Sequence, residues 1–229
     1  MLVTWGFVLL ETPPPNLSLC ALVLLVRAAP LPEYSGSLTE NPEFHKAVKE
    51  SNNLINKILH EIPAVHKSCV NSEALTLDPS GGQNLMYIVT SLGIPSAPEL
   101  MGLSNEFTME MCLNRMSEGL QLYQDLLSTV RDHVSTPEKV TDLRAAVTDL
   151  LEKVLQMREL AQLENGVQYE GTDLAARLTG PYEVMVATNV TLTELRSFTE
   201  HVSRSLGNIV RAKPALHGRA RAQPHPHSI

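Results

Sequence analysis

Apolar residues recur along this chain at spacings of three and four, and they do so in four separate stretches. That spacing returns a side chain to the same face of an α-helix, so each stretch predicts an amphipathic helix. The first opens at Asn41-Pro42-Glu43, a capping residue followed by proline in the first turn and an acid near the positive end of the helix dipole. Its stripe is Phe44, Ala47, Val48, Ser51, Ile55, Ile58, Leu59 and Ile62, and Pro63 is expected to end or kink it. The second follows Ser104-Asn105 and carries Met109, Cys112, Met116, Gly119, Tyr123, Leu127, Val130 and Val134. Ser135-Thr136-Pro137-Glu138 stops it and starts the third, whose stripe is Leu143, Val147, Leu150, Val154, Met157 and Ala161. After a polar stretch, Gly180-Pro181 opens the fourth, with Met185, Leu192, Leu195, Phe198, Val202, Leu206 and Ile209 facing inward.

The connections carry topological information. Only about three residues separate the second and third helices, which makes them antiparallel neighbours. The first and last links are much longer, about 35 and about 17 residues, long enough to run the length of a bundle and let successive helices run parallel. One short and two long links predict an all-α fold, an up-up-down-down four-helix bundle with two long crossover connections, within residues 41–212. Residues 29–40 are expected to be a flexible N-terminal segment. The proline-rich basic tail, 213–229, lacks a stripe and is expected to be disordered.

Composition agrees with helix. Of the 229 residues 43% are hydrophobic but only 4% aromatic, so the core must come from aliphatic side chains. A net charge of −7 would be repelled by phosphates, which argues against a nucleic-acid partner. Residues 17–26 form an apolar run ending in Arg27-Ala28-Ala29-Pro30, which resembles a signal peptide (1–28) cleaved after Ala28. The run is too short to span a bilayer, so membrane insertion is not expected and the chain is expected to be secreted into the extracellular space. Two features oppose this: no Lys or Arg precedes the run, and a further apolar stretch, Met1 to Leu10, lies before it. A membrane-tethered start is the alternative. Asn189-Val190-Thr191 is a glycosylation sequon, so Asn189 is the expected glycan site.

Candidate chemistry is sparse. The histidine pairs His60/His66 and His225/His227 lack the two further ligands a zinc site needs. No phosphate loop, nucleophile elbow or HExxH motif occurs. The acid pair Asp149/Glu152 lies opposite an apolar stripe, on a solvated face that would not raise a carboxyl pKa for acid catalysis. The expectation is no enzyme, no cofactor and no metal.

Specific residues narrow the reading. Ser91-Leu-Gly-Ile-Pro95-Ser-Ala-Pro98, the spaced set Cys112, Gly119-Leu120, Tyr123 and Leu126-Leu127, the pair Pro137-Glu138, and Leu195-Arg-Ser-Phe198-Thr-Glu200 together resemble the interleukin-6 and granulocyte colony-stimulating factor family of long-chain four-helix cytokines. The resemblance spans residues 40–210, densest from 82 to 138. It implies a secreted growth factor, monomeric in solution, that dimerises a class I cytokine receptor ectodomain in a 2:2 complex to stimulate granulocyte-lineage proliferation, differentiation and immune response. By the same resemblance one receptor surface comprises Asp149 and Glu152, with Lys46, Glu50 and Asn53 on the first helix. A second, polar-end surface comprises Asn84, Tyr87, Ser91 and Tyr182. The family's cysteine partners are missing: Gly102 stands where a second cysteine would pair with Cys112, and Cys69 has lost its mate too. In an up-up bundle Cys69 and Cys112 lie at opposite poles, so both are expected to be unpaired. Two rivals stand beside this reading. One is an interleukin-6-like cytokine; the other, of a different class, is a secreted helical carrier of lipid or metabolite, which would need a cavity.

Overall fold

The computed structural model describes residues 38–78, 86–104, 107–163 and 169–211. The expected signal peptide, most of the flexible segment, Asn84 and the basic tail lie outside them. Among the described residues there are five α-helices: α1 (Pro42–Cys69), α2 (Met86–Leu92), α3 (Met109–Arg131), α4 (Pro137–Leu160) and α5 (Pro181–Arg211). Short 3₁₀ turns at Leu38–Glu40 and Leu174–Arg177 precede α1 and α5, and no strand occurs among the described residues. The protein is all-α.

Local chemistry explains most of the boundaries. Asn41 caps α1 by accepting a 2.9 Å hydrogen bond from the Glu43 amide. Thr108 caps α3 in the same way through the Met111 amide, at 3.2 Å. Pro137 sits at the first position of α4, where the amide it lacks would be unpaired anyway. The same helix ends with Gln162 in the left-handed region (φ 54°), while the amides of Gln162 and Leu163 return to the carbonyls of Glu159 and Arg158.

Pro63 does not stop α1, which continues through it to Cys69. Ile62 and Val65 flank it and are both buried, so continuing the stripe outweighs the backbone hydrogen bond a proline forfeits, a cost of about 3 kcal/mol. At the other helix ends the stripes reach less far than expected. Val134 falls beyond α3 and Ala161 caps α4. The first long link contains α2, which lies on α5 and on the second 3₁₀ turn.

The core is aliphatic and drawn from all four long helices. Phe44, Ile58 and Ile62 of α1, Leu113, Met116 and Leu127 of α3, Leu143, Val147 and Leu150 of α4, and Val186, Leu195 and Val202 of α5 are fully buried. Leu75, Leu92, Phe107 and Leu174 close it from the connections. Helix α1 packs on α4 and α5, and α3 packs on the same two.

The α3–α5 seam closes around a glycine. A methyl group at Gly119 would fall inside the Phe198 ring, so only glycine leaves room for it. That ring in turn meets Tyr123, with centroids 5.4 Å apart and planes tilted by 46°. Glycine costs about 1 kcal/mol of helix propensity here, recovered by seating an aromatic ring against the helix axis. Burial, with help from the Glu194 carboxylate, pushes the Tyr123 phenol well above its ordinary pKa.

Candidate functional site

Two of the expected surface groups fall on adjacent helices and meet. Lys46, Glu50 and Asn53 are spaced by four and three along α1, which puts them on one face; Asp149, Glu152 and Lys153 share a face of α4 for the same reason. Helices α1 and α4 pack together, and the Lys153 ammonium reaches across to the Glu50 carboxylate at 2.7 Å. Lys46, Asn53, Asp149 and Glu152 are all exposed. The geometry therefore collects the expected α1 and α4 residues into one solvent-facing charged patch.

Its electrostatics divide the charges into two kinds. The bond from Lys153 holds the Glu50 carboxyl below its ordinary value, burial opposing and the nearby Lys46 charge assisting. Conversely the bond to Glu50 raises the Lys153 ammonium, with the Glu152 and Asp149 charges adding to it. Glu50 and Lys153 satisfy each other. Asp149 and Glu152 form no ion pair among the described residues, so two acids face water beside the bridged pair. A partner presenting arginine or lysine could engage them without first breaking an internal bond. Lys153 was not singled out from the sequence, where it is one lysine among many on helix faces. Only its reach to another helix marks it.

The second expected surface is less concentrated. Tyr87 on α2 is 85% exposed and Tyr182 at the start of α5 is 48% exposed, so neither ring is folded under the linker. Ser91 is exposed too, although its hydroxyl is turned back onto the Ile88 carbonyl at 2.8 Å. Its own carbonyl accepts from Arg177 at 3.3 Å, which ties α2 to the 3₁₀ turn before α5. Asn84 lies outside the described residues.

The expected glycan residue lies in a buried position. Asn189 is 5% exposed, and its side-chain oxygen lies 2.8 Å from His66 Nε2, across the α1–α5 contact. Thr191, the third residue of the sequon, is fully buried. Asn189 stands three residues from Val186 and from Leu192, both buried, which puts it on the inward face of the helix.

Both described cysteines are free thiols. Cys69, at the end of α1, lies 3.4 Å from the Thr136 hydroxyl just ahead of α4. Cys112, near the start of α3, is buried beside Ser205 of α5; burial pushes its thiol from 9.0 up to about 11. Among the described residues no group of three or more His, Cys, Asp and Glu side chains could hold a metal, and no helix is long and apolar enough to cross a membrane. The last long connection is tied down at Asp125 of α3, which accepts from the Thr172 amide and hydroxyl at 2.9 and 2.8 Å.

No protein-family model matches the chain, and no curated protein matches it.

Proposed function

We propose that the chain is an exported, non-catalytic helical cytokine of the granulocyte colony-stimulating factor branch, and that the α1–α4 charged patch is its principal receptor surface. The observation that carries the reading is that Lys46, Glu50, Asp149 and Glu152 gather at the Glu50–Lys153 ion pair, Lys46 through its charge on Glu50 and the two acids through theirs on Lys153. Those four residues were expected at a receptor surface on sequence resemblance alone, from segments about a hundred positions apart. On this reading the Glu50–Lys153 pair holds the two helices in register, and Asp149 and Glu152 are the handles.

The cross-helix contacts favour an up-up-down-down four-helix bundle as the scaffold. Glu50, early in α1, meets Lys153, late in α4, while Cys69 at the end of α1 meets Thr136 ahead of α4. Pairing of His66 with Asn189 and of Asn52 with Ser203 gives α1 and α5 opposite directions. Cys112 beside Ser205, and Tyr123 against Phe198, do the same for α3 and α5. Helices α1 and α3 then share one direction, and α4 and α5 the other. Function is recognition without chemistry: binding free energy becomes proximity of two receptor copies.

The test is direct. The folded chain is offered to immobilised class I cytokine receptor ectodomains, and cells bearing any receptor that binds are assayed for kinase activation. Saturable binding, a 2:2 complex by light scattering and kinase activation are expected. A folded chain that binds none of these ectodomains would contradict the reading. A carrier role has one observation in its favour, a hollow of about 530 Å³ between α3, α5 and the linker.

A further inference from the structure

After Gly93 the linker runs without helix or strand to Ser104, and its residues Gly93 to Met101 border space against α3 and α5. Two hollows open there, of about 530 and about 300 Å³, and both are bordered by Ala97, Tyr123 and Glu194. The larger has apolar walls supplied by Ile94 above and by Leu126 and Val190 below. A volume of that size matches the range in which proteins hold small ligands.

Two polar groups at this hollow have no partner. Thr191 borders it, is fully buried, and its hydroxyl makes no hydrogen bond. Thr188 and Thr199 of the same helix return their hydroxyls to the carbonyl four residues earlier, each at 2.7 Å, whereas Thr193 is unpartnered like Thr191 but lies away from this hollow. A buried hydroxyl without a partner is unfavourable, because it has lost water and gained nothing in exchange. Glu194 is exposed and forms no ion pair among the described residues, although the next charge along the helix, Arg196, is paired with Glu200. Thr191 and Glu194 are three residues apart on α5, so they are neighbours on one face with Cβ atoms roughly 5–6 Å apart. An unmatched negative charge, an unmatched hydroxyl beside it and an apolar chamber together define a complementary ligand. That ligand has a cationic head, a hydroxyl next to the charge and an aliphatic body.

We propose that the hollow beneath the linker binds a single-chain aliphatic amino alcohol, its ammonium on Glu194, its hydroxyl on Thr191 and its chain between Ile94, Leu126 and Val190. Such a site lies on the α3–α5 side of the molecule, whereas the charged patch belongs to α1 and α4, so the proposal stands apart from the receptor reading. No bond is made or broken.

The experiment titrates the full folded chain with 2-aminodecan-1-ol by isothermal calorimetry, with decan-1-ol and decanoate as comparison ligands. The amino alcohol is expected to bind one to one below about 100 µM, and both comparison ligands at least about tenfold more weakly, since each lacks the charge that Glu194 can match. Glu194→Gln and Thr191→Val are each expected to weaken binding about tenfold. Thr191→Val also guards against a folding artefact: it removes an unpaired hydroxyl, so its unfolding midpoint should hold or rise while its affinity falls. Ala97→Trp, which fills the space with an indole, should abolish binding. No binding at 1 mM, decanoate binding as tightly as the amine, or affinity unchanged in both polar variants would each overturn the proposal.

Discussion

The α1–α4 seam and the α3–α5 seam pack helices of similar length, yet they are built from opposite materials. On the first, the outermost layer is charge: Glu50 and Lys153 bridge the helices in water, with Asp149 and Glu152 unpaired beside them. On the second, the contact is an aromatic ring driven into the space that Gly119 leaves open, braced by Tyr123. A surface ion pair adds little to stability because solvent screens it and side-chain entropy opposes it. A buried ring adds several kcal/mol because it removes a large apolar area from water. The difference teaches a division of labour at the outer layer: one seam is braced by buried rings, and the surface of the other is free to present charge to a partner.

The comparison is broken most easily at Phe198. Phe198→Ala is expected to destabilise the fold by about 4 kcal/mol, measured by urea denaturation, because it leaves a cavity against Gly119 and Tyr123. Gly119→Ala comes next, at about 2 kcal/mol: the gain in helix propensity is smaller than the cost of pushing Phe198 out of place. In a Phe198→Leu background that penalty should shrink, since the obstructing ring is gone. An unchanged penalty there would mean that the close approach of ring and glycine is not what makes the position sensitive.

Cys112 offers a pH probe of the same seam. Its folded thiol titrates near 11 and its unfolded one near 9.0, so the folded state retains the proton that the unfolded state releases between those values. The stability from this group is fully present below pH 9 and is lost as pH rises through about 11. Cys112→Ala should flatten the alkaline decline, and native Cys112 should resist a thiol reagent at pH 8 while the half-buried Cys69 reacts. The smallest effect is expected on the outer seam. Glu50 contributes stability that is present above its unfolded pKa and disappears as pH falls through its lower folded value. With an exposed pair, Glu50→Gln should leave the unfolding midpoint nearly unmoved at neutral pH.

Much of the scaffold was legible because its signals are local. The Asn41-Pro42, Pro137 and Gly180-Pro181 starts each sit where the capping chemistry places them, and the long stripes mark their helices. Pro63 misled because a local rule met a tertiary one: burial of Ile62 and Val65 carries the helix through a residue that would break it in isolation. Helix α2 was missed for want of length, since seven residues give no period to read. In the site, the resemblance named Asp149, Glu152, Lys46 and Glu50, but nothing in the sequence could say that the two helix faces meet. That requires Lys153 to cross between helices, a contact between positions 103 apart (153 minus 50). The burial of Asn189 was not foreseen: a three-residue motif was read without weighing the apolar positions on either side of it.

The central claim is that Asp149 and Glu152 are handles, dispensable for folding and needed for recognition. The most direct measurement is surface-binding of the Asp149→Lys, Glu152→Lys double variant to the receptor ectodomain that captures the unmodified chain, with denaturation run in parallel. The account predicts a dissociation constant raised by at least about tenfold, with stability within about 0.5 kcal/mol of the original. Equal affinity in a variant that remains fully folded would contradict it.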